Sequence, residues 1–299
     1  MMQKNLAQNI LHFPLTKIII GIVAVVATVG LGQYLAGQLL DYLGTEKPTK
    51  HLIVGLITAV LSFLSYTLLF KNYEKRDVTE FNTKKIGQHL LVGILLGALL
   101  QSLTISVIYL KGGFTVLSVN PLLFLIPSLT MAFTSAIFEE VLVRGIIFRI
   151  LEEKLGSYIS LILSALIFGA LHLGNPHSTI AAAVGLALQA GLFLAAAFMF
   201  SRNLWFPIAI HFAWNFSQSG IFGATVSGNS TTKSLLTTTI KGEDWYTGGA
   251  FGPEGSVQAT VFCLLATFVL LMLCNKQNKI IKPYWTRSKE HYKVQENVL

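Results

Sequence analysis

Ile86–Leu110 reads IGQHLLVGILLGALLQSLTISVIYL, twenty-five residues without one Asp, Glu, Lys or Arg. A helix of that length rises roughly 37 Å, enough to cross the hydrocarbon core of a bilayer. Similar uncharged stretches occupy residues 18–40, 51–70, 112–138, 155–201, 203–232 and 255–275. The longest has room for two spans, and Gly174-Asn175-Pro176-His177-Ser178 supplies the turn between them. Eight spans result. The 299 residues are 53% hydrophobic and only 12% charged, about half the charge of an ordinary soluble domain. The expected fold is therefore an all-α, polytopic membrane protein with about eight transmembrane helices.

The basic residues orient it. An even number of spans puts both termini on one side, and 17 of the 22 Lys and Arg fall on that side. The positive-inside bias makes both termini cytoplasmic. The net charge of +8 follows from this topology and does not point to nucleic acid. The expected organisation is three N-terminal helices in residues 1–120, a polar-bearing core of four helices in 121–220, an outer loop in 221–254, an eighth helix in 255–275 and a basic tail in 276–299. The glycine-rich run 247–256 lacks the strand-loop-helix context of a phosphate cradle and reads as an ordered turn. Tyr284 and Trp285 suit the tail to anchoring on anionic inner-leaflet lipids. Cys263 and Cys274 would lie roughly 16 Å apart on one helix, too far for a disulfide.

Ionisable groups inside spans are costly and mark function by default. They are confined here to one stretch, and other spans carry almost nothing titratable. Glu139, Glu140 and Arg144 lie on the fourth, His172 on the fifth, and His211 with Asn215 on the seventh. Glu140 and Arg144 stand at i and i+4 and can neutralise one another. Glu139 projects about 100° away and is left to face a cavity. His172 shares a face with Phe168, and His211 shares one with Asn215. Counting helical rise places Glu139, His172 and Asn215 about 18–21 Å above the cytoplasmic edge, with His211 in reach of that layer. This requires Arg149 to snorkel to the inner surface, and Pro127 to mark the outer entry turn.

A carboxylate, two imidazoles and an amide in a dry cavity are the parts of an amide hydrolase. Glu139 with His172 would polarise a water, and His211 with Asn215 would donate to the oxyanion. The same Glu139, His172 and His211 would alternatively make a zinc shell with an open position, although no His-Glu-x-x-His motif is present. Ser135, one turn before Glu139, reads as a packing residue.

In order, Glu139-Glu140-x-x-x-Arg144, Phe168-x-x-x-His172 and His211-x-x-x-Asn215 resemble the three motifs of the CPBP family, the CAAX proteases and bacteriocin-processing (Abi) proteases. The resemblance covers roughly residues 121–220. It implies endoproteolysis of a membrane protein or peptide within or near the bilayer, with Glu139 and His172 activating water and His211 and Asn215 binding the oxyanion or a metal. It leaves zinc and metal-free chemistry both open. The short loops and the lack of a targeting extension read as those of a bacterial plasma-membrane protein. Two rivals come from other classes. An ion-coupled transporter would repeat its polar pattern in each half, and the first half holds no second copy. A non-catalytic scaffold or bacteriocin-immunity protein would have no need of all four polar positions.

Overall fold

The computed structural model describes residues 2–230 and 233–286; the remainder of the basic tail lies outside them. A short α1 (Met2–Leu11) precedes α2 (Pro14–Tyr42), α3 (Lys47–Tyr73) and α4 (Ile86–Leu110). The chain then forms strand β1 (Phe114–Val119), helix α5 (Leu125–Glu140), a π-helical stretch (Val141–Phe148) and α6 (Arg149–Leu171). Helix α7 (Ile180–Leu186) passes through a second π stretch (Ala187–Gly191) into α8 (Leu192–Ser201). Helix α9 (Trp205–Asn215) ends in a third (Phe216–Ile221). Strand β2 (Leu236–Ile240), a single turn α10 (Asp244–Thr247) and α11 (Val257–Lys276) follow.

The protein is an all-α polytopic membrane protein. Among the described residues, six helical runs are long and apolar enough to cross a membrane. The fourth and fifth expected spans form one such run, Leu122–Gly174, broken at Gly156 (φ 76°, ψ 170°). A side chain at Gly156 would stand 2.6 Å from Pro283 N, because the segment after α11 docks there through Ser157 N to Ile281 O and Ile281 N to Ser157 Oγ, each 2.9 Å. The seventh expected span, α9 with its π extension, totals 17 residues, at the bottom of the crossing range.

Two sequence expectations change. The uncharged stretch 112–138 is not helical throughout, since β1 pairs antiparallel with β2 across a bulge between Val116 and Ser118. Phe-Thr-Val-Leu-Ser-Val alternates and is bounded by Gly112-Gly113 and Asn120-Pro121, a strand signature that an absence of charge conceals. The membrane run therefore starts near Leu122, and Pro127 sits in the first turn of α5, where proline is tolerated. The loop 221–254 is ordered, with β2 and three short helical turns.

The second correction concerns Arg149. It does not snorkel and is 5% exposed. The connection after α3 folds back beneath it, so that Arg149 pairs with Glu74 at 3.0 Å and Glu153 at 2.7 Å and lies over the Phe70 ring. Arg76 bridges Glu74 and Glu80 at 2.7 Å each, and Lys17 reaches Glu74 at 3.0 Å. The fold-back that brings Glu74 and Glu80 to Arg149 is non-local, so sequence spacing does not reveal it. Directly above, Tyr66 donates to Gly145 O at 3.1 Å, tying α3 to the first π stretch.

Helix α4 fixes α9. A side chain at Gly97 would lie 2.3 Å from Ile210 O. The backbones approach as closely as small residues allow, which is how membrane helices gain packing energy without a hydrophobic driving force.

The ionic cluster gives a pH prediction. Burial alone would raise the Glu74 carboxyl, but Arg149, with Arg76 and Lys17, holds it at about 2. The folded value lies below the ordinary 4.5, so this stabilisation is complete above about pH 4.5 and is lost as pH falls toward 2. Glu74→Gln is expected to cost about 3 kcal/mol at neutral pH and to flatten the acid dependence of thermal unfolding. An unchanged acid profile in the variant would show that Glu74 does not carry it.

Candidate active site

Glu140 ends α5 where the helix widens into its π stretch, and its side chain is fully buried. Arg144, also fully buried, donates from Nη1 to Glu140 Oε1 at 2.8 Å. Its Nη2 donates to Ala190 O at 2.9 Å and Gly191 O at 3.1 Å. Those carbonyls belong to the second π stretch, whose changed repeat frees acceptors that a regular helix would occupy. The guanidinium carbon lies 4.5 Å from the centroid of the Phe168 ring, which adds a cation–π contact.

Glu140 Oε1 also meets His211 Nδ1 at 3.0 Å. One buried carboxylate oxygen therefore holds both a guanidinium and an imidazole. His172 Nδ1 lies 2.8 Å from Phe168 O. A carbonyl only accepts, so His172 carries its proton on Nδ1, and the carboxylate assigns His211 likewise. In each ring Nε2 is the nitrogen that faces Glu139.

Both Nε2 atoms approach one oxygen. His172 Nε2 is 3.8 Å and His211 Nε2 is 3.9 Å from Glu139 Oε2. That oxygen is buried and has no hydrogen-bond partner. It borders a cavity of about 150 Å³ lined also by Asn215, Ser135 and Phe168, which has room for several waters. The structure thus brings Glu139, His172, His211 and Asn215 to one pocket and leaves Glu140 and Arg144 behind its wall.

Two lining groups, Gln189 and Glu254, went unread in the sequence, and Ser135 was read only as packing. Ser135 does more than pack, since Asn215 Nδ2 donates to its Oγ at 3.4 Å and that hydroxyl donates to Ala132 O. Its i, i+4 spacing to Glu139 was the available signal. Gln189, buried in the second π stretch, donates to Glu254 O and to Thr260 Oγ1. Glu254, 3% exposed, comes from the outer loop. Its Oε1 accepts from Ser227 N at 2.5 Å and Ser227 Oγ at 2.6 Å. Burial pushes the Glu254 carboxyl up, against the pull of Ser227 and of His172. No local pattern announces a residue delivered by a thirty-residue loop. The loop is tied down by Gln218, which accepts from Trp214 Nε1 at 3.0 Å and donates to Thr225 O at 2.6 Å.

The donor types at the pocket suit zinc, but their spacing does not. A tetrahedral zinc with bonds of about 2.0–2.1 Å would hold neighbouring donors roughly 3.3–3.4 Å apart, closer than 3.8 and 3.9 Å. No group of three His, Cys, Asp or Glu among the described residues has metal-holding geometry.

The family model for type II CAAX prenyl endopeptidases, Rce1-like, matches residues 121–217. That segment contains the whole Glu139, His172, His211 and Asn215 constellation. The match spans 97 of the 299 residues, about a third of the chain. The match supports a CAAX-type protease at the level of the family, and it begins at Pro121, beside the start of the membrane run. No curated protein and no solved structure gives a significant match.

The wall of this pocket makes a stability prediction. Arg144→Ala removes the cation from a fully buried carboxylate and is expected to cost about 3–5 kcal/mol, read as a lower melting temperature in detergent. Ser135→Ala, which frees only one hydroxyl contact, should melt within about 1 kcal/mol of wild type. Equal melting of both variants would remove the structural role assigned to Arg144.

Proposed function

We propose that this protein is an intramembrane endopeptidase that hydrolyses a peptide bond of a membrane-associated protein or peptide by a glutamate-dependent, water-activating mechanism. The observation that carries the reading is the convergence of two imidazole Nε2 atoms on the unpartnered Glu139 Oε2 at the edge of a pocket. A water between Glu139 and His172 would hydrogen-bond to both and lose its proton to Glu139 as its oxygen attacks the substrate carbonyl carbon.

Negative charge then develops on the carbonyl oxygen. Asn215 has a second amide N–H beyond the one spent on Ser135. His211, held at Nδ1 by Glu140, would donate from Nε2 when that nitrogen also carries a proton. These two donors form the oxyanion site. As the carbon–nitrogen bond breaks, the proton held on Glu139 passes to the leaving amine, which returns the carboxylate to its starting state. Phe168 supports the site indirectly, through its carbonyl on His172 and its ring beneath Arg144.

The basic excess on one face supports termini on the cytoplasmic side, and the short loops support a bacterial plasma membrane. The account expects Glu139→Gln to lower kcat/KM by about 10²–10⁴ and Asn215→Ala by about 10²–10³ on a membrane-peptide library, with both variants inserted and folded. Zinc chelation should leave wild-type cleavage intact. Loss of cleavage on chelation, restored by zinc, would overturn the metal-free route, and full activity in Glu139→Gln would overturn the site assignment.

A further inference from the structure

A second cavity lies at the end of the bundle that carries the basic excess and shares no lining residue with the pocket at Glu139. It measures about 610 Å³ and is bordered by Lys84 and Lys85 before α4, His89 in its first turn, Arg202 and Asn203 between α8 and α9, and Lys279 after α11. No Asp or Glu lines it.

Arg202 is neutralised by Glu152 through both terminal nitrogens. The lysines are not. Among the described residues Lys84, Lys85 and Lys279 form no ion pair, and Lys279 spends its ammonium on Phe200 O and the Phe200 ring. Burial pushes Lys279 below its ordinary value, and Arg202 and Lys85 push it the same way. Like charges thus crowd one opening with no anion between them. His89 Nδ1, in the same wall, is buried without a hydrogen-bond partner.

We propose that this cavity binds a phosphate group, carried by an anionic phospholipid headgroup of the adjacent leaflet or present as free phosphate. Cations set between helices at the cytoplasmic interface are a recurrent way of holding lipid headgroups. The floor is pre-formed, since Asn203 is 4% exposed and its side-chain amide donates to Asn82 O at 2.7 Å. An anion here would tie the start of α4 to the start of α9, the helix that bears His211 and Asn215, and to the segment beyond α11. The site stands independently of the proteolytic reading.

The test measures thermal unfolding of the full chain in phosphatidylcholine nanodiscs, titrated with phosphatidylglycerol or, separately, with inorganic phosphate. Lys84→Gln/Lys85→Gln alters two exposed side chains and should leave the fold intact. Lys71→Gln/Lys75→Gln removes the same charge from the same face outside the cavity. Saturable protection is expected, weakened about tenfold in the Lys84/Lys85 pair and unchanged in the control pair. Protection by phosphatidylglycerol alone identifies the headgroup, and equal protection by inorganic phosphate identifies the free anion. Equal weakening in both pairs would reduce the effect to bulk surface charge, and an absence of protection from either ligand would likewise overturn the proposal.

Discussion

A guanidinium with no access to solvent, held among membrane helices, is the constraint on which the catalytic core depends. An isolated charge in such a setting costs far more than the protein's net stability, so Arg144 must be answered locally. The answer occupies several elements at once. Glu140 supplies the countercharge, Ala190 and Gly191 supply carbonyls, and Phe168 supplies a ring face. Each of those groups lies beside a catalytic candidate. Glu140 also holds His211, Phe168 also holds His172, and Glu139 is the next residue along from Glu140. Neutralising one cation thereby sets the positions of the candidate catalytic groups.

The three π stretches belong to the same solution. One carries Arg144, one presents the carbonyls that receive it, and one follows Asn215 directly. A widened helix turn re-aims side chains and releases backbone acceptors, which a regular helix in a dry interior cannot do without leaving polar groups unsatisfied. The outer loop closes the remaining side through Ser227 and Glu254, and the ionic cluster around Arg149 and Glu74 anchors the opposite end.

Much of this was legible in the sequence because it follows from local periodicity. Uncharged runs revealed the membrane helices, and i, i+4 spacing paired Glu140 with Arg144 and separated Glu139 from both. What stayed hidden is non-local. An absence of charge cannot distinguish the strand Phe114–Val119 from a helix, and composition cannot tell that Glu74 and Glu80 fold back onto Arg149. Glu254 is 115 residues from Glu139 in sequence and becomes its neighbour at the pocket only through the path of the loop. The π stretches have no sequence signature of their own, since apolar residues such as Val141–Phe148 suit a regular helix equally well.

The central claim is a division of labour between adjacent carboxylates, one chemical and one structural. Its most direct test measures melting temperature and cleavage rate together for Glu139→Gln and Glu140→Gln. The account predicts that Glu139→Gln melts like wild type and does not cleave, whereas Glu140→Gln melts markedly lower because Arg144 and His211 lose their shared partner. Equal destabilisation by the two substitutions, or cleavage surviving in Glu139→Gln, would contradict it.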